Sequence, residues 1–222
     1  MASFINLTLD TLPPQAVTLS INGGALYTNV TAATLTIGTS DTPTTGYQMK
    51  IWGGVTSAST EATATWEAFS ASKSVTLTAG DSLKTVNIKL RDAVWNESAA
   101  VSASITLDMT LPIVTITGPD VSVISKITGK SSAAFSFSSN SVFKEYTVRV
   151  VPATTSIYSA GTQIPTTGGS TNMSGTSASG FPANTAINCV IQGVDLATAG
   201  GSDGVKIIKV FAKDMAGNWS NA

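Results

Sequence analysis

The chain repeats itself, and this constrains its folding more than any other feature. Leu9-Asp10-Thr11-Leu12-Pro13 returns as Leu107-Asp108-Met109-Thr110-Leu111-Pro112. Ile88-Lys89-Leu90-Arg91-Asp92, followed by Asn96-Glu97-Ser98, returns as Val210-Phe211-Ala212-Lys213-Asp214, followed by Asn218-Trp219-Ser220. A unit of roughly 100 residues is one ordinary domain, so the 222 residues divide into two copies of one fold.

Between these markers the hydrophobic pattern has period two. Val17-Thr18-Leu19-Ser20-Ile21 parallels Val114-Thr115-Ile116, and Ala33, Leu35 and Ile37 parallel Ala133, Phe135 and Phe137. Met49-Lys50-Ile51 parallels Val148-Arg149-Val150. Val86, Ile88 and Leu90 alternate with Asn87, Lys89 and Arg91, as Ile208, Val210 and Ala212 alternate with Lys209, Phe211 and Lys213. Each run puts apolar side chains on one face of a strand, and the last leads into an Asp and a polar turn. Charged residues are only 11% of the chain, so Ser, Thr, Asn and Gly supply most of the polar surface. Thr favours strands and the other three favour turns. The expected fold is all-β: two tandem immunoglobulin-like antiparallel β-sandwiches, and no helical periodicity competes. Residues 10–108 form the first and 109–222 the second, preceded by an N-terminal strand at 1–9.

The copies differ in length. Asp10 to Asp92 spans 82 positions and Asp108 to Asp214 spans 106, so the second copy carries 24 more residues. The Ser-, Thr- and Gly-rich stretch from Pro152 to Thr185 is their expected place, as surface loops or short edge strands that leave the core untouched.

The copies also differ at their ends. After the turn Asp92–Glu97, Ser98–Asp108 supplies a final strand and a linker. After the matching turn of the second copy come only Ser220, Asn221 and Ala222, so its final strand is expected to be absent. Ser3-Phe4-Ile5-Asn6-Leu7-Thr8-Leu9-Asp10, meanwhile, resembles Ala103-Ser104-Ile105-Thr106-Leu107-Asp108, a final strand without its own sandwich. Two readings follow. In one, Phe4, Ile5, Leu7 and Leu9 form an assembly strand that completes the second domain of a neighbour or docks on another protein. In the other, the chain is one stretch of a longer repeat array.

The composition excludes several chemistries. There is no histidine, so Ser-His-Asp and Cys-His arrangements are impossible. The single cysteine, Cys189, allows no intrachain disulfide and reads as a buried core residue. Twelve basic and thirteen acidic residues are scattered singly, which argues against nucleic-acid and anionic-membrane partners. No apolar run is long enough to span a bilayer. The first ten residues do not read as a secretory signal, so the expectation is a protein used without the general export route or one whose signal is already removed. Glu61 and Glu67, around Trp66, are the nearest pair for two-carboxylate glycoside chemistry, and solvated edge residues are the preferred reading. Asp92 with Asn96 and Asp214 with Asn218 are weak calcium candidates, since both residue types also stabilise turns; no other cofactor is indicated. Trp52, Trp95, Phe211 and Trp219 fall outside the core pattern and are candidate exposed contacts for proteins or sugars.

The junction Leu107-Asp108…Pro112 and the string Asp214-Met215-Ala216-Gly217-Asn218-Trp219-Ser220 resemble bacterial immunoglobulin-like repeats. With Gly193-Val194-Asp195-Leu196 and Asp203-Gly204-Val205-Lys206, the second copy is similar to the version found in tailed-bacteriophage virion proteins. The resemblance implies a non-enzymatic display protein on the virion exterior: a capsid decoration, fibre or tail accessory protein. Its implied partners are other virion proteins, further copies of itself and surface glycans. The alternative is a bacterial cell-surface adhesin or an accessory module of a secreted polysaccharide-active enzyme. In the first copy Trp95 stands where the pattern has Gly217, a departure that leaves the role of that turn open.

Overall fold

Alternation builds both cores. The structure, a computed structural model, describes residues 5–153 and 159–221. It divides into two compact units, Met1–Met109 and Thr110–Ala222. Each is an antiparallel sandwich of the immunoglobulin-like kind.

In the first unit, β1 (Thr18–Ile21), β3 (Ala32–Gly38) and β6 (Ser72–Thr76) form one sheet in the order β1-β3-β6. The facing sheet runs β2-β8-β7-β4-β5, from β2 (Tyr27–Thr28), β4 (Gln48–Gly53), β5 (Glu67–Ala68), β7 (Ser82–Arg91) and β8 (Val101–Leu107). Ala33, Leu35 and Ile37 point inward from β3, Met49 and Ile51 from β4, and Val86, Ile88 and Leu90 from β7. The last strand, β8, pairs β7 antiparallel from Ser82↔Leu107 to Ile88↔Val101 and adds Ile105 to the core. On its other side it pairs β2 in parallel.

The second unit repeats the plan with longer strands. β9 (Val114–Thr117), β10 (Ser132–Ser139) and β14 (Ile187–Gln192) make one sheet. The other centres on β11 (Phe143–Pro152), which pairs β15 (Lys206–Asp214) along one edge. On its other edge it pairs β12 (Thr162–Gln163) and β13 (Ser174–Phe181). The core gathers Phe135, Phe137, Tyr146, Val148, Cys189 and Val210. β15 corresponds to β7. Among the described residues no strand corresponds to β8, and none corresponds to β2, which leans on β8.

Two expectations are corrected here. The additional residues do not merely decorate the surface. Ile164 and Met173 are fully buried, the Ile164 N–H donates to Val148 O, and Met173 O accepts from the Val148 N–H. Phe181 of β13 stacks on Phe143 at 5.0 Å between ring centres. The longer β11 needs its far edge covered, and β12 and β13 cover it. The rest of the extra length lies outside Pro152–Thr185, as a helix, α1 (Gly193–Gly200), between β14 and β15. Eight residues are too few to show a helical period in sequence. It ends at Gly201, whose φ of +73° suits only glycine well, with its N–H on Ala197 O. Leu196 and Ala199 face the core. No helix among the described residues is long and apolar enough to cross a membrane.

Candidate functional site: an open sheet edge in the second unit

The turn after β15 fixes which backbone groups face outward. Ala212 N–H donates to Ser220 Oγ at 3.2 Å, and Ala212 O accepts from Ser220 N–H at 2.8 Å. The same pair closes the first unit, between Leu90 and Ser98, at 3.1 and 2.9 Å. Because backbone groups alternate sides along a strand, Lys206, Ile208 and Val210 also aim their N–H and C=O groups away from β11. In the first unit the corresponding Lys84, Val86 and Ile88 face Ile105, Ala103 and Val101 of β8. In the second unit no strand among the described residues stands there.

Beside this edge lies an open groove of about 420 Å³. Leu111, Ile113, Val114 and Ile116 form one wall, and Ile208 and Val210 the other. Ile113 and Ile116 are exposed to solvent. In the first unit β8 occupies the equivalent space, and Ile105 and Leu107 are buried there to 0% exposure. An unpaired edge with apolar side chains beside it is a surface that another strand can extend.

The assembly-strand candidates are laid open as well. Ile5, Leu7 and Leu9 are 92%, 91% and 86% exposed and belong to no strand. Phe4 lies outside the described residues.

The calcium candidates form two copies of one turn. Asp92 Oδ1 accepts the N–H groups of Val94 and Asn96 at 2.9 Å each, and Oδ2 accepts the Asn96 amide at 2.8 Å. Asp214 does the same with Gly217 N–H at 2.7 Å, Asn218 N–H at 2.8 Å and the Asn218 amide at 2.8 Å. Both carboxylates are buried and directed at their own turn. Burial pushes Asp92 up, but the hydrogen bonds from the Asn96 side chain and from the Asn96, Val94 and Trp95 N–H groups outweigh it and hold its carboxyl below the usual range.

Of the aromatic candidates, Trp52 is not exposed. The chain folds back so that Gly53 N–H reaches Ala58 O at 2.9 Å, and Trp52, 9% exposed, packs against Ala58 and Ala64. Phe211 is half-buried. Trp219 is partly exposed, with Lys213 Nζ 5.3 Å from its ring centre. Trp95 is 70% exposed and holds a φ of +73° where Gly217 has +106°. The Arg91 guanidinium lies between Trp95 and Trp66, 5.0 and 4.4 Å from their ring centres. Sequence reasoning missed Arg91, because Trp66 and Trp95 are far apart along the chain.

Glu61 and Glu67 are each held by a lysine, Lys89 at 2.6 Å and Lys73 at 2.5 Å. An open cleft of about 490 Å³ near Glu67 has a mixed lining, with Thr56, Thr65 and Ser74 beside Ile51 and Val75. Cys189 is buried, and burial pushes its thiol up to about 12. The least expected polar group is Asp195 of α1, fully buried. It accepts the N–H groups of Gly168 at 2.7 Å and Ser170 at 2.9 Å, tying the additional segment to the helix.

No family profile matches this chain, and no curated protein does. Among solved structures it is similar to the fibronectin(III)-like modules of Clostridium thermocellum CbhA, at 10% identity and a TM-score of 0.44, covering 92% of this chain and 90% of that one. It is similar to chitinase ChiA74 from Bacillus thuringiensis, at 14% identity and a TM-score of 0.32, covering 92% of this chain and 30% of that one. The D00-D0 domain of Intimin matches at 11% identity and a TM-score of 0.31, covering 92% and 97%.

Proposed function

We propose that this protein is a non-enzymatic structural module, built into a larger assembly by a strand that enters the open edge of β15. The observation that carries this reading is the outward row of Lys206, Ile208 and Val210, which meets no strand among the described residues and lies beside an exposed apolar groove, in a fold whose other copy fills the same place with β8. As a setting, the resemblance of Asp214–Ser220 supports the exterior of a tailed-bacteriophage particle, as a decoration, fibre or tail accessory protein. The exposed Trp95 ring supports the second setting, a surface adhesin or accessory module in contact with glycans. Sedimentation velocity over a range of concentrations tests the acceptor role, with Lys206→Pro as the blocked edge. Its N–H faces away from β11, so proline removes an outward donor and spares the β11 ladder. Mass that grows with concentration in the natural chain, and a folded monomer in the variant, is the expected result. The same mass for both at every concentration contradicts the proposal.

A further inference from the structure

We infer that the entering strand is Ile5–Leu9 of a second copy of this chain, so that copies join head to tail. This rests on reading β15 as an acceptor, and it names the donor and its register. In the first unit Leu107 stands opposite Ser82, Ile105 opposite Lys84 and Ala103 opposite Val86. The repeat places Gly204, Lys206 and Ile208 where Ser82, Lys84 and Val86 stand, and Leu9, Leu7 and Ile5 where Leu107, Ile105 and Ala103 stand. The donor therefore runs antiparallel to β15 with Leu9 opposite Gly204, Leu7 opposite Lys206 and Ile5 opposite Ile208.

Three details beyond hydrophobic alternation favour this occupant. Ile5, Leu7 and Leu9 lie almost wholly in solvent, an arrangement that wastes three aliphatic side chains unless something covers them. Lysine recurs at the matched site: Lys84 Nζ donates to Ala79 O at 3.2 Å, and Lys206 Nζ to Ser202 O at 2.5 Å. The end of the strand is also prepared. Asp81 Oδ1 accepts the N–H of Met109 at 2.8 Å, just past β8. Asp203 holds the place of Asp81 and Thr11 that of Met109, so the donor finds the same acceptor waiting. A head-to-tail contact of this kind joins two different surfaces, and generates closed rings or open filaments rather than a two-fold dimer.

Register is read by a disulfide. Thr106 and Leu83 face each other on the outer side of β8 and β7, and their counterparts are Thr8 and Val205, both exposed. That pair lies between the hydrogen-bonded positions, where Cα atoms approach within disulfide range. In the full chain, Thr8→Cys with Val205→Cys is expected to give disulfide-linked dimers and longer ladders on mild oxidation. Thr8→Cys with Ile207→Cys, a shifted register, is expected to link several-fold less. Cys189 is buried and does not compete. In parallel, a peptide spanning residues 3–11 is expected to bind the chain lacking residues 2–9, and the Leu7→Asp peptide about tenfold or more weakly. A link that closes within single chains overturns the second-copy donor. So does an absence of links together with undiminished association of the chain lacking residues 2–9. In either case, loss of assembly in Lys206→Pro leaves the acceptor role standing, whereas an unaffected Lys206→Pro removes both.

Discussion

Lys84 and Ile105 face each other across β7 and β8, both buried, whereas Lys206, in the place of Lys84, pairs β11 at Pro152 and has no strand among the described residues on its other side. One sandwich thus carries its own closing strand, and in its copy no strand among the described residues takes that place.

Leu107 and Leu9 occupy matched positions in the repeat, one fully buried and the other exposed. Leu107→Ala is expected to cost about 3 kcal/mol in unfolding of the first unit. Leu9→Ala is expected to leave the unfolding of dilute protein within about 0.5 kcal/mol of the natural chain while weakening association. Denaturant titration at low and high concentration reads both.

Trp95 holds a left-handed backbone that bulky residues avoid. Substitution by Gly and by Ala removes the ring from Arg91 equally, so the difference between the variants isolates the backbone. Trp95→Gly is expected to be more stable than Trp95→Ala by about 1 kcal/mol, measured by chemical denaturation.

Burial pushes Asp195 up, but hydrogen bonds from Ser170, Gly168 and Thr167 outweigh it and leave its pKa below the ordinary value. A carboxyl with a lower pKa folded than unfolded stabilises fully above the unfolded value, about 3.9, and that contribution disappears as pH falls through the folded one. Asp92 acts in the same direction in the first unit. Both units are expected to lose stability below about pH 4. Asp195→Asn is expected to cost about 2 kcal/mol at neutral pH and to flatten the acid limb for the second unit. Thermal melts from pH 3 to 7 check this.

Met173 and Phe181 make the additional segment part of the second core. Phe181→Ala is expected to cost about 3 kcal/mol, against near-neutrality for a substitution on a decorative loop. Unfolding followed by near-ultraviolet circular dichroism distinguishes the two.

Alternation made the strands readable. Leu35, Ile88 and Phe137 each sit between polar neighbours, and each is buried where that pattern sends it. Pattern failed where a side chain meets something distant in sequence. Trp52 lies on the outward face of β4, yet the fold-back at Ala58 covers it. Asp195 is a lone acidic residue whose partners are N–H groups more than twenty positions earlier. Asp92–Asn96 and Asp214–Asn218 were visible as pairs, but only their geometry shows the carboxylates turned onto their own turns. The exposed aliphatics of Ile5–Leu9 were legible because they copy β8, and the groove because β15 copies β7.

Hydrogen exchange along β15 tests the acceptor edge most directly. In dilute full-length protein, the amides of Lys206, Ile208 and Val210 are expected to exchange quickly, while those of Ile207, Lys209 and Phe211, directed at β11, stay protected. At concentrations where copies associate, the first three are expected to become protected too. Equal and unchanging protection of both sets at every concentration would show that the edge is already closed, and would contradict the account.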